Sequence, residues 1–244
     1  MRFFLGVHTI ALGAMFLACS ATAQEWINID IWGNGILGQS ALRHAQEATT
    51  QGTDEADSYG PGTSGQARSE DAAALFFERS SDLTSQIEEG VAQRLSGMVS
   101  VRFQMEDPSY LVRTAGTRAI YRQELEKRGL PEDSLTGATA LFLAVGWELA
   151  NGRSLSQAQT AAIFRQTASG LQSSPLARQS DAERQQESEM RLIITALWLE
   201  EARVRASSSR PTQDLADAVW RDLKAITGND MRAYAVTANG FTER

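Results

Sequence analysis

Ser134-Leu-Thr-Gly-Ala-Thr-Ala-Leu-Phe-Leu-Ala-Val-Gly-Trp-Glu-Leu-Ala-Asn-Gly152 decides the fold. Between Ala138 and Trp147 it carries no charge, and Thr139 is its only hydroxyl. A helix that is apolar on every side belongs inside a protein or inside a membrane. These residues rise roughly 15 Å as a helix, about half the hydrocarbon thickness of a bilayer. The stretch therefore reads as the central helix of a soluble helical domain, packed on several sides.

Working outward, the helix is bounded by stop and start signals. Gly129 sits as a C-terminal cap of a preceding helix over about 109–128, which uses Leu111, Ala115, Tyr121 and Leu125, and Pro131 follows. Asp133 or Ser134 caps the central helix, and Asn151-Gly152 closes it. Further back, Leu83, Ile87, Val91, Leu95 and Met98 recur at helical spacing. Val99, Val101, Phe103 and Met105 alternate, as a short extended segment or as the tail of that helix. On the other side, Ser154 or Ser156 opens a helix with Ile163, Phe164, Thr167, Ala168 and Leu171 on its face. Ser180-Asp181 with Glu183 starts the longest helix, to about Ala206. Thr212 or Asp214 caps a last one with Leu215, Val219, Leu223 and Ile226, ended by Gly228-Asn229. The tail carries a short extended piece at 234–236. The fold class is all-α: a single bundle of about six helices with antiparallel neighbours.

The front of the chain differs. Arg2, a mostly apolar run over 3–17 and Ala21-Thr22-Ala23 before Gln24 form a secretory signal peptide over 1–23. The alternative is a lipoprotein anchored at Cys19, against which Phe16 stands where Leu, Val or Ile is usual. Cleavage after Ala23 removes Cys19 and Arg2, taking the formal net charge from −7 to −8. An exported chain without cysteine is held by its core alone. The acidic balance disfavours nucleic acid and anionic lipid, and the mature chain has no transmembrane span. Trp26 to Trp32 alternates like a short strand. Residues 49–68 are rich in Gly, Ser, Thr and acids, so 24–69 reads as a low-order arm and linker, and 70–244 as the helical domain.

Several words in order — Arg128-Gly129-Leu130, Ser134-Leu135, Trp147-Glu148-Leu149-Ala150-Asn151-Gly152, Ser180-Asp181-Ala182-Glu183-Arg184-Gln185 and Thr237-Ala238-Asn239-Gly240-Phe241 — resemble a family of uncharacterised exported bacterial proteins, domain of unknown function 6683. The resemblance covers about 75–242. It implies an exported, mostly helical domain with no assigned activity, and no catalytic residue to carry over.

Each chemical motif has a plainer structural explanation. Gly33-Asn34-Gly35-Ile36-Leu37-Gly38 matches a dinucleotide fingerprint, yet no second strand and no βαβ pattern follow. After cleavage His44 is the one histidine left, too few for a zinc site or a Ser-His-Asp site. Asp54-Glu55-Ala56-Asp57 lacks the spacing of a calcium loop. Glu187-Ser188 matches a dipeptide of helical glycan-cleaving enzymes, but the acids and glutamines around it read as an exposed first turn or two. Glu148 either points to solvent, the favoured reading, or pairs with Arg153 or Arg165. Trp147, Trp198 and Trp220 read as interhelical packing.

No catalytic, cofactor-binding or metal residue is assigned. The expected function is that of an exported, non-enzymatic envelope or secreted protein, periplasmic or extracellular, binding another envelope protein. Trp26, Trp32, Trp147 and Glu148 are its candidate contacts. The alternative is a small-ligand-binding or glycan-cleaving helical protein with a site between helices.

Overall fold

The computed structural model describes residues 74–97 and 105–244. The helices in chain order are α1 Ser81–Gly97, α2 Pro108–Arg113, α3 Gly116–Arg128, α4 Leu135–Asn151, α5 Gln157–Gln172, α6 Asp181–Ser207 and α7 Gln213–Thr227. Short 3-10 turns lie at Pro175–Arg178 and Met231–Ala233, and strands β1 Tyr234–Thr237 and β2 Gly240–Glu243 close the chain. The protein is an all-α bundle with one small hairpin.

The quoted stretch is α4, and 14 of its 17 residues are buried. Ser134 starts it: its Oγ accepts from the Gly137 N–H at 3.0 Å and donates to the Ala74 carbonyl. Gly152 ends it at φ 62, a left-handed turn that glycine adopts without a Cβ penalty. Neighbours approach α4 on several sides. Phe142 stacks on Trp198 of α6 with ring centroids 5.2 Å apart. A Cβ on Gly146 would lie 2.6 Å from Leu223 Cδ1 of α7, so the missing side chain is what lets α7 come this close. α5 and α3 also pack on α4.

Two expectations about the bundle need correction. α6 runs in the same sense as α4: Trp198 lies against Phe142, and Ala202 one turn on lies beside the same cleft as Glu148. Neighbours in the bundle are thus not all antiparallel, because α4 is central and touches helices that do not follow it directly. The helix expected over 109–128 is also two helices. The chain breaks at Ala115, φ 56, and Val112 rather than Leu111 is buried. The spacing did not mark this break, because Leu111, Ala115, Tyr121 and Leu125 fall within about 120° of one helical face.

Other boundaries follow the local chemistry. Ile87, Val91 and Leu95 are buried on α1 as expected, with Leu83 half-buried. Ser156, not Ser154, caps α5 in a reciprocal pair with Gln159, and Ser180 with Glu183 does the same for α6. Thr212 stands at the cap position of α7 without a side-chain cap bond.

The extended tail at 234–236 is β1, paired antiparallel with β2. A lone two-stranded ribbon is marginal in water, and here side chains of α4 and α5 hold it. Trp147 Nε1 donates to the Tyr234 carbonyl at 3.0 Å. The Gln166 amide takes both polar groups of Phe241, at 3.2 and 2.8 Å. Gln159 reaches the Val236 carbonyl at 2.8 Å. The expected signal peptide over 1–23, the expected arm with Trp26 and Trp32, the Gly33–Gly38 motif, His44, Asp54–Asp57 and Met98 to Phe103 lie outside the described residues.

Candidate functional site

The carbonyl end of a helix carries partial negative charge and unpaired acceptors. α4 has no basic residue in its last turn, so its compensation comes from elsewhere in the chain. Arg232 Nε donates to the Ala150 carbonyl at 3.0 Å. Asn151 Nδ2 donates to the Trp147 carbonyl at 2.9 Å and to that of Met231 at 3.3 Å. The Gly152 and Arg153 N–H groups cap the Glu148 carbonyl.

Glu148 does not point to solvent. Its carboxylate takes both Arg128 terminal nitrogens, at 2.8 and 3.3 Å, and the Leu155 N–H at 2.7 Å. The arginine is neither Arg153 nor Arg165. Gly152 turns the chain back so that Leu155 faces the carboxylate, while the end of α3 brings Arg128 across. Burial pulls the Arg128 guanidinium down, but the bonds to Glu148 and Glu124 outweigh it and raise its pKa. Trp147 is buried, its indole tied to β1, and the Arg153 guanidinium lies 6.0 Å from its ring centroid.

Beside this helix end is a cleft of about 630 Å³. Its polar lining includes Glu148, Asn151, Arg153, Arg232 and Arg244, and its apolar lining includes Leu149, Ala202 and Leu215. Arg232 is engaged with Asp217 at 2.6 Å and lies 4.8 Å over the Trp220 ring. Arg244 Nη2 donates to Asn151 Oδ1 at 3.1 Å. Its volume is in the range of small-molecule sites, although it is partly open to solvent and no aromatic side chain among the described residues lines it. Of the cleft's polar residues, Glu148 was expected and Arg153 was weighed as its partner. Arg232 and Arg244 come from the far end of the chain, and no local sequence pattern marks them.

Glu187-Ser188 is not on an exposed turn. Ser188, Gln185 and Glu189 are buried and Glu187 is half-buried. Burial pushes the Glu187 carboxyl up, which a general acid requires. However, Glu187 is closed on Arg191, at 3.2 Å, whose own side chain is 2 % exposed. Glu187 does not line the cleft. Across α6, Glu189 takes Arg79 at 2.7 Å, with Thr84 and Gln185 donating to the same oxygen at 2.6 and 3.1 Å. Burial nevertheless holds the Glu189 pKa above the ordinary carboxylate value. This network ties α1 and the segment before it onto α6. Trp198 is core, and Trp220 donates to Asp230 at 2.7 Å between the cations of Lys224 and Arg232. Among the described residues no cluster of three or more His, Cys, Asp or Glu side chains is placed to hold a metal ion. None of their helices is long and apolar enough to cross a membrane.

Residues 4–223 match the Family of unknown function (DUF6683). The chain belongs to this family. The DUF6683 match reaches further toward the N-terminus than the resemblance over 75–242, and it ends before the hairpin whose Asn239-Gly240-Phe241 formed part of that resemblance. No curated protein and no solved structure matches the chain. DUF6683 membership assigns no residue a role, so the reading of the site rests on its geometry.

Proposed function

We propose that the chain is an exported, non-enzymatic binding protein of the envelope, periplasmic or secreted, whose ligand enters the cleft at the exit of α4. The observation that carries this reading is the cleft itself, where polar groups from α4, the loop after it and the C-terminal segment meet Leu149, Ala202 and Leu215. Its placement moves the emphasis from a protein partner to a small ligand. Recognition of another envelope protein through Trp26 and Trp32 remains part of the proposal, resting on the alternation of that run. Export rests on Arg2, the apolar run and Ala21-Thr22-Ala23. The arrangement of arm over 24–69 and helical domain over 70–244 rests on composition. Glycan cleavage at Glu187 is the weaker reading, because Arg191 occupies that carboxylate.

The test is a thermal-shift screen of the processed chain against small metabolites, alongside Ala202→Trp, which fills the cleft. A ligand at 100 times its Kd stabilises by about 2.7 kcal/mol. Compounds that stabilise the parent and not Ala202→Trp support the reading. Compounds that stabilise both equally place binding elsewhere and overturn it.

A further inference from the structure

The charge state of the cleft says what kind of ligand fits it. Glu148 is the carboxylate in its lining, and that charge is already matched by Arg128. Arg232 is matched by Asp217. Two guanidinium groups remain. Arg244 has a neutral partner for Nη2, the Asn151 amide oxygen, and that amide is itself fixed by two backbone carbonyls. Arg153 faces the Trp147 ring and makes no ion pair with a described residue. The carbonyl end of α4, which would repel an anion, is masked by Arg232 and Asn151. Arg153 therefore leaves the cleft with a cation that no described carboxylate matches. Leu149, Ala202 and Leu215 supply apolar surface to the same cleft, with Ser154, Thr212 and Gln213 also in its lining.

We infer that the ligand is an organic acid with an apolar body, its carboxylate received by Arg153 and Arg244 and its hydrocarbon laid on Leu149, Ala202 and Leu215. A guanidinium fork matches a carboxylate in two parallel hydrogen bonds. Arg153 lies 6.0 Å from the Trp147 ring centroid, a cation–π contact that does not neutralise it. The inference rests on the cleft being the binding site, and it adds the chemical class.

Isothermal titration of the full processed chain with sodium octanoate tests it, with 1-octanol, sodium acetate and inorganic phosphate as comparison probes. Octanoate is expected to bind, more weakly as sodium chloride is raised, and at least about tenfold more weakly to Arg153→Gln, the loss of a charge-assisted bond. Acetate and phosphate lack the body and are expected to bind far more weakly than octanoate. No octanoate binding at millimolar concentration overturns the inference. So does octanol binding as well as octanoate with Arg153→Gln unchanged, or phosphate outbinding octanoate. Ala202→Trp and Ala216→Phe separate the two claims. Octanol lost in both but indifferent to Arg153→Gln leaves the cleft standing and removes the acid, while octanoate retained in both removes the cleft as well. Circular-dichroism melts of each variant establish that it is folded before it is titrated.

Discussion

Gly137→Ala sets two effects of similar size against each other. Alanine is favoured over glycine by about 1 kcal/mol in a helix interior, and by less at the third position of a helix, where Gly137 stands. Propensity alone makes the substitution stabilising. Against this, a Cβ at Gly137 would lie 2.2 Å from the Pro131 carbonyl oxygen and 3.2 Å from Pro131 Cγ. The obstacle is backbone, and it cannot rotate away. The loop before α4 is pinned by the Leu130 N–H to Leu125 carbonyl bond at 2.9 Å and by the Ser134 hydroxyl. Overpacking of this kind costs about 1–3 kcal/mol, so the steric effect wins and a net loss of about 1–2 kcal/mol is expected. Urea unfolding followed by tryptophan fluorescence measures it, with an unchanged m-value. Gly152→Ala is the control: nothing lies within 4 Å of its Cβ, so its cost, about 1–2 kcal/mol, is that of a left-handed backbone alone. An unchanged or raised stability of Gly137→Ala would refute the close seating of α4 on the Pro131 loop.

Further outcomes follow from the same packing. Phe142→Ala, which removes the ring stacked on Trp198, is expected to cost about 3–5 kcal/mol, and a measured loss under about 1 would take that ring out of the core. Arg128→Met leaves Glu148 without its cation and is expected to cost about 1–3 kcal/mol, part of which Glu148→Gln should restore in the double variant; full additivity would show that the pair is not coupled. Burial raises the folded-state pKa of Glu189 above 4.5, so its stabilising contribution is full below that value and is lost as pH rises through the folded-state value. The stability of Glu189→Gln relative to the parent should therefore climb with pH across that window, and a falling difference would reverse the sign of the burial effect. Removing residues 24–69 from the processed chain should leave a cooperatively unfolding domain, and a broad, non-cooperative melt would contradict the boundary.

The sequence made α4 legible because burial on all sides leaves a mark no other element shares, an uncharged run with a cap at each end. Capping pairs made α6 legible for the same reason, that Ser180 and Glu183 act within three residues of each other. What could not be read was set by distance along the chain. Arg128 and Glu148 are 20 positions apart in the sequence, and Arg232 and Ala150 are 82 apart. The burial of Glu189 was hidden because its partner Arg79 lies 110 positions away in the sequence, so the charged run around it looks exposed. The break at Ala115 was not legible from spacing, because Leu111, Ala115, Tyr121 and Leu125 share one broad helical face.

The central claim is that the exit of α4 receives a ligand. Backbone and indole ¹H–¹⁵N shifts recorded while sodium octanoate is titrated into the processed chain test it most directly. The account predicts shifts at the Trp147 indole, residues 149–154, residues 212–216 and Arg232. Shifts gathered on α1 or on the outer face of α5, with the Trp147 indole unmoved, would contradict it.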